Sequence, residues 1–371
     1  MDFNLTDEQQ MLREGAERYL LESYTFDDRK LSLREPRGCR DEAWQAFAEM
    51  GWLALVVPED AGGLGTGLLE ATLVAEAMGR RAVIEPYASS AVLATRVIER
   101  AADAAQREGL LGEIAGGALR VAVACFEPDR HYEIVAATTT ARRDGQGCVL
   151  NGTKQLAYDA PSSGKLIVTA LLEGRFAMFI VDAEAEGVNR RDYPLIDGRH
   201  ASDVEFVDVR LEAGSLLGAG PAAAEALDEA LDRMRVFEVA EALGAMERVM
   251  ELTAEHIRNR KQFGQPLAAF QALQHRMSEM FVEVQESRSA LYHALAHFES
   301  GPAKRNAAVS SAKVVAIEGA RVVGAQGIQL HGGVGMTDEY QVGHYYKRLL
   351  VLERAWGDLD FHLDRIARTY T

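Results

Sequence analysis

The stretch Gln326–Tyr340, QGIQLHGGVGMTDEY, combines an amide side chain, a glycine pair and an acidic turn. Gln329 can both donate and accept hydrogen bonds. Gly332 and Gly333 follow one turn later and carry no Cβ, so a ligand could approach their backbone closely. A helix stop alone would also explain paired glycines, which take up the left-handed C-terminal conformation at little cost. A second stretch upstream, Arg260–Gln274, RKQFGQPLAAFQALQ, sets an Arg, a Phe and a Gln beside a turn. Together the two stretches could hold a large polar cofactor that has phosphates and a purine.

The elements that must position them follow from periodicity. Apolar residues recur at helical spacing over Ala307–Ala325, directly before the glycine pair. The chain has 371 residues. A single hydrophobic core stops growing at about 250–300 residues, so two or three domains are expected. Hydrophobic residues make up 48%, enough for a sizeable core. The net charge of −16 disfavours nucleic acid or an anionic membrane as partner, because both require a basic face. Cys39, Cys125 and Cys148 are scattered, odd in number and without metal-ligand spacing, and read as reduced thiols. No apolar run is long enough to span a bilayer and no basic-then-apolar leader opens the chain, so a cytoplasmic protein is expected.

From Thr6 to about Gly117 the pattern is helical, with Thr6 and Gln9 spaced as a capping box. Helices are predicted over 42–50, 68–78 and 88–100. From Leu119 to Leu217 short runs rich in β-branched and aromatic residues replace it. Asn151-Gly152 there predicts a hairpin turn, since both turn positions want positive φ. Long amphipathic segments return over 226–259, 270–298, 307–327 and 342–370 and predict a bundle. The expected fold is α+β: an N-terminal helical domain (1–118), a middle antiparallel β domain (119–217) and a C-terminal four-helix bundle (218–371).

This order, with RKQFGQP and QLHGGVGMTDEY, resembles the acyl-CoA dehydrogenase family over nearly the whole chain. Within it the chain looks like the small subunit of pimeloyl-CoA dehydrogenase-type heteromers, in which two related chains share one enzyme's work. The resemblance implies FAD as cofactor, lying across a subunit boundary. The flavin ring would sit against the β domain of one chain, and the pyrophosphate and adenine would reach the bundle of a neighbour. The lending residues map onto Arg260, Phe263, Gln329, Gly332 and Gly333, with Gln271 as an addition from the next helix. An Arg fork suits a pyrophosphate, and a Phe gives an apolar wall. Asp232 and Arg235 match a family pair near the CoA. The substrate would be an acyl-CoA, carrying a dicarboxylyl, fatty or steroid side-chain acyl group, with an electron-transfer flavoprotein as electron acceptor.

The family reaction needs a carboxylate to take the α proton while the β hydrogen leaves as hydride to the flavin. The two family positions for that base fall on Trp356 and Met234, and neither side chain can accept the proton. In the β domain the expected hydroxyl-bearing and small residues are replaced by Cys125-Phe126-Glu127-Pro128-Asp129-Arg130-His131 and Leu156-Ala157-Tyr158. Asp358, Glu353 and Glu238 are the carboxylates near enough in sequence to act as displaced bases. His331, His344 and His362 lack metal spacing and are expected at turns or on the surface. The resemblance therefore implies a base-less, flavin-lending subunit of a heterotetramer, whose partner is a homologous large subunit with the catalytic Glu. A homotetramer with a displaced base and a flavin-free scaffold are the alternatives.

Overall fold

The computed structural model describes residues 4–134 and 138–369. Six α-helices precede the sheet: α1 (Asp7–Ser23), α2 (Phe26–Ser32), α3 (Asp41–Glu49), α4 (Leu68–Arg81), α5 (Thr95–Ala101) and α6 (Ala104–Ala115). The capping box opens α1: Thr6 Oγ1 accepts from Gln9 N, and Gln9 Oε1 accepts from Thr6 N. The helix predicted over 88–100 begins as a fully buried π-helical segment, Ala88–Ala94, that runs on into α5.

Eight strands follow: β1 (Val121–Ala124), β2 (Thr140–Asp144), β3 (Gly147–Tyr158), β4 (Lys165–Leu172), β5 (Arg175–Asp182), β6 (Val188–Pro194), β7 (His200–Leu211) and β8 (Leu216–Ala219). They form one sheet in the order β6-β7-β3-β2-β4-β5-β8, with β1 beside β4. Neighbours run antiparallel except β1–β4 and β2–β4, which are parallel. Its apolar face buries Leu150, Leu166, Val168, Phe179, Val204 and Phe206, alternate residues of facing strands.

The hairpin predicted at Asn151-Gly152 is absent; the pair lies inside β3, at a register shift between Leu150 and Gly152. The turn between β2 and β3 is at Gly145-Gln146 instead. Of the two positive φ angles expected, Gly152 has one, φ +143, and Asn151 does not. The Gly152 angle serves a β-bulge rather than a turn. A Cβ there would stand 2.6 Å from Thr139 Cα. Asn151 bonds across to β7: its Oδ1 accepts from Asp208 N at 2.9 Å and its Nδ2 donates to Asp208 Oδ1 at 3.1 Å.

The C-terminal helices are α7 (Pro221–Asn259), α8 (Gln271–His297), α9 (Pro302–His331), α10 (Gln341–Arg354) and α11 (Leu359–Ala367). A short hairpin, β9 (Lys261–Gln262) with β10 (Gln265–Pro266), joins α7 to α8. The central α9 packs on α8, α10 and α11. Pro302 at its first turn and Gly332 at its end bound it as propensity predicts. The segment predicted as one helix over 342–370 is two, because Trp356 and Gly357 take positive φ. The class is α+β, as expected. Among the described residues no helix is long and apolar enough to cross a membrane, and no His, Cys, Asp or Glu cluster could hold a metal.

The chain forms two compact units. One comprises the chain up to Lys30, Thr72–Val83 and Arg235 onward; the other comprises Leu31–Ala71 and Ile84–Met234. In the first, α4 and α7 meet backbone to backbone. A Cβ on Gly79 would lie 2.0 Å from Glu241 O, and one on Gly244 would lie 2.0 Å from Glu76 O. In the second, Trp44 Nε1 donates to Gly117 O at 3.0 Å and Tyr87 OH to Trp52 O at 3.0 Å, so these buried aromatics leave no polar atom unpaired.

Candidate cofactor-binding edge and base positions

Arg260 follows the last residue of α7, and Leu267 N donates to its carbonyl at 2.8 Å, which closes the small β9–β10 hairpin beneath it. Phe263 and Gly264 form the hairpin turn with φ +54 and +83, the left-handed pair a two-residue turn demands. The turn lifts Phe263 into solvent, 91% exposed, with only an edge contact to Phe270 at 6.2 Å between ring centres. Arg260 is exposed too, and among the described residues no carboxylate pairs with its guanidinium. Gln329, Gly332 and Gly333 are likewise exposed at the end of α9, and Gln271 at the start of α8. Gly332 has φ +63 and ψ −142, a conformation essentially confined to glycine. A Cβ on either glycine would meet nothing within 4 Å. Open space faces this backbone, as close approach of a ligand requires.

Ring contacts tie these segments together. The His256 ring at the end of α7 lies 4.5 Å from the His331 ring at the end of α9, and His331 lies 5.0 Å from the Tyr340 ring just before α10. His331 Nδ1 donates to Gly327 O at 2.7 Å, and its Nε2 is 3.3 Å from Tyr340 OH. The α8 end joins through Arg276 Nη1, which donates to Gln326 Oε1 at 3.0 Å. The structure thus assembles the six residues singled out from sequence into one edge of the bundle. Neither His256 nor Tyr340 was anticipated. A His four residues before Arg260 and a Tyr eight after Gly332 were the signals available.

The histidines expected at turns or on the surface are buried: His331 is 5% exposed, His344 9% and His362 0%. His331 and His344 have partners on both ring nitrogens, whereas His362 Nε2 is buried without a hydrogen-bond partner among the described residues. His344 Nε2 donates to Asp338 O at 2.9 Å while its Nδ1 accepts from Arg29 Nη1 at 2.9 Å. His362 Nδ1 lies 3.2 Å from Ser310 Oγ. Burial lowers the pKa of all three, so they are neutral imidazoles.

The base positions look different. Trp356 is 2% exposed in the turn between α10 and α11. Its carbonyl accepts from Arg235 Nε at 2.9 Å, and the Arg235 guanidinium lies 5.3 Å from the Phe361 ring. Lys313, in an otherwise apolar stretch of α9, donates to Leu352 O at 2.9 Å, Ala355 O at 3.2 Å and Glu238 Oε2 at 2.8 Å. Three carbonyls around Trp356 are therefore held by two buried cations. Met234 is 2% exposed and Asp232 fully buried.

Each carboxylate weighed as a displaced base is engaged. Asp358 caps α11, accepting from Phe361 N at 3.0 Å. Glu353 pairs with Arg321 at 2.6 Å. Glu238 is buried, which raises its pKa, but it is bonded to Lys313. Sequence reasoning missed Lys313, although a lone Lys among VSSAKVVAIEGA is the kind of charge on an apolar face that signals a buried pair.

In the sheet unit, Phe126 and Tyr158 are buried, and Phe126 meets Tyr132 edge-on at 5.9 Å. Glu127 is bonded to Lys154 Nζ at 2.6 Å, and Lys154 also donates to Thr169 Oγ1 at 2.8 Å. Both are almost fully buried. Burial alone would raise the Glu127 pKa; the Lys154 ammonium and the N–H groups of Thr138 and Thr139 outweigh it and hold the carboxyl well below its usual range. Burial draws the Lys154 pKa down, and the bond to Glu127 opposes it. We take the pair as ionised, because the bond is short and the remaining valences are filled. The bundle edge offers an exposed guanidinium, an aromatic ring and an open glycine backbone. The sheet residues at the expected ring-facing positions do not offer a flavin ring comparable free donors.

The chain matches three family models: Acyl-CoA dehydrogenase, N-terminal domain over residues 6–118, middle domain over 122–209 and C-terminal domain over 224–371. It is 28% identical to Acryloyl-CoA reductase (NADH) of Anaerotignum propionicum, covering 99% of this chain and 95% of that protein. It is 30% identical to Acyl-CoA dehydrogenase FadE12 of Mycobacterium tuberculosis, covering 81% of this chain and 80% of that protein. The structure of the ChsE4-ChsE5 complex from Mycobacterium tuberculosis is similar at TM-score 0.90 and 26% identity, covering 100% of this chain and 99% of that chain. Members of the matched family bind FAD and are oxidoreductases acting on the CH–CH group of acyl-CoA thioesters. With all three domains matched in order along this sequence, the chain belongs to the acyl-CoA dehydrogenase family.

Proposed function

We propose that this chain is the flavin-lending, base-less subunit of a two-chain acyl-CoA dehydrogenase, with residues 1–118, 119–217 and 218–371 as its domains. The observation that carries the proposal is the contrast between an unpaired, exposed Arg260 beside Phe263 and a pinned, buried Trp356. Arg260 would hold the pyrophosphate of FAD, Phe263 and the Gly332-Gly333 backbone its adenosine half, and Gln271 and Gln329 its remaining polar groups. FAD supplies the two-electron sink when bound. A homologous large subunit would bring the Glu that takes the α proton, and an electron-transfer flavoprotein would take the electrons. Similarity to a chain of the ChsE4-ChsE5 complex supports a two-chain assembly, and a heterotetramer follows if each chain type pairs with itself as well.

The geometry disfavours the alternatives. A self-sufficient enzyme would need a free carboxylate, and Glu238, Glu353 and Asp358 are all engaged. A flavin-free scaffold has no use for an exposed Arg260 that no carboxylate pairs among the described residues. The test is to purify the chain alone and together with a homologous chain that carries Glu at the position of Trp356. Flavin and acyl-CoA oxidation are then measured in each. Flavin and turnover only in the two-chain complex, both lost with Arg260→Ala, is the expected result. A chain that alone carries FAD and oxidises acyl-CoA overturns it.

A further inference from the structure

The three rings that bind the lending edge together include two imidazoles. His256, His331 and Tyr340 come from three separate segments, the ends of α7 and α9 and the approach to α10. Arg260 lies one turn beyond His256, and Gly332 is the residue after His331. Tilted ring contacts at these separations are attractive between neutral rings. His331 Nδ1 must carry the proton, because Gly327 O can only accept; in the neutral ring Nε2 is then left to accept from Tyr340 OH. Val249 of α7 stands so close to α9 that a Cβ on Gly327 would lie 2.5 Å from its Cγ1, so the two helices are tightly packed one turn before His331.

We propose that His256 and His331 are positioning residues for the edge that grips the cofactor, and that they hold it only while both imidazoles are neutral. This rests on the reading of the edge given above. The backbone carbonyls of Gly327 and Leu252 favour a charged His331, but burial outweighs them. The other imidazole and Arg260, just past the end of α7, face His256, and both disfavour its protonation after burial itself. Glu255 and Arg248, also of α7, act on Tyr340 in opposite senses. From α8, Arg276 is committed to Gln326.

The sign follows. A His whose folded pKa is depressed leaves the folded state with fewer protons than the unfolded state, so its contribution is complete above about pH 6.5 and lost as pH falls below it. Cofactor retention that requires a neutral ring weakens by about tenfold for each pH unit below that ring's pKa.

The experiment follows flavin release from the two-chain enzyme by fluorescence between pH 8 and pH 5. It compares the natural protein with His256→Phe, which keeps a ring and removes the charge, and with His331→Gln. The natural enzyme should release flavin as the pH drops, and His256→Phe should move that release at least half a pH unit lower. In parallel, hydrogen exchange of segments 256–264 and 331–340 is followed in the chain alone, corrected for intrinsic rates. Protection of both segments should fall together on acidification, and less in His256→Phe. His331→Gln should lower protection at every pH. Identical pH profiles for the natural protein and His256→Phe in exchange overturn the proposal whether or not flavin is bound. Absence of flavin from the complex at pH 8, with the exchange result as expected, would instead count against the flavin-lending reading alone.

Discussion

Two regions of the same helical unit carry opposite signatures. Around Arg260 and Gly332 the side chains are exposed, the guanidinium has no carboxylate partner among the described residues and a Phe stands in water. Around Trp356 the buried cations are engaged: Arg235 and Lys313 hold three carbonyls, and Lys313 pairs with Glu238. A free chain does not benefit from exposing Phe263, since burying such a ring is worth roughly 1.5–3 kcal/mol. The first region is therefore shaped for something outside the chain, and the second for the chain's own stability. A family member that performs the proton abstraction itself would need the reverse at the second region, a carboxylate left unpaired in a dry pocket.

Substitutions can break this contrast. The largest effect is expected from Lys313→Met, which strands the Glu238 carboxyl in the core and leaves the α10 carbonyls without a donor. Removing one partner of a buried pair costs about 3–5 kcal/mol. Urea denaturation of the chain alone reads it, and a loss below about 1 kcal/mol would mean the second region is not a stability element. Arg260→Ala should weaken flavin retention by the two-chain complex roughly tenfold to a hundredfold, the worth of hydrogen bonds to a charged group. It should leave the urea midpoint of the isolated chain unchanged.

Acid sharpens the comparison with the sheet. The depressed Glu127 carboxyl contributes stability that is present above its unfolded value and lost as pH falls toward its folded one. Between pH 5 and pH 3 the natural chain should lose urea resistance more steeply than Glu127→Gln, although the variant starts lower. The smallest effect is Phe263→Ala in the isolated chain, within about 0.5 kcal/mol, as for exposed sites generally. A larger loss would show that the hairpin tip stabilises its own subunit.

The residues proposed for the helical edge could be picked out because they lie in two short stretches with turn signals. Arg260, Phe263, Gln271, Gln329, Gly332 and Gly333 could be named from local spacing and family resemblance, and the positive φ of Gly332 follows from residue type. What joins the stretches was not legible. His256 and Tyr340 look like ordinary helix-end residues until the fold brings them to His331. Lys154 is 27 residues from Glu127 on another strand, and no local pattern announces that pairing. Asn151-Gly152 failed for a related reason: composition requires positive φ there, but a bulge and a turn satisfy it equally, and only the partner strand decides. The histidines were misplaced because polarity suggests exposure, whereas a single imidazole with one donor and one acceptor is easily satisfied in a core.

The glycine crossing of α4 and α7 sets an order of events during synthesis. Gly79 emerges from the ribosome before any strand of the sheet, yet the helix it must touch emerges only after the last one. The unit built from the chain up to Lys30, Thr72–Val83 and the helices from Arg235 onward cannot close until those helices have been made. The sheet unit, by contrast, has all its residues by Met234 and can form first. The nascent chain must then carry two helical pieces undocked on the same polypeptide, and an interruption of synthesis within α7 would strand them.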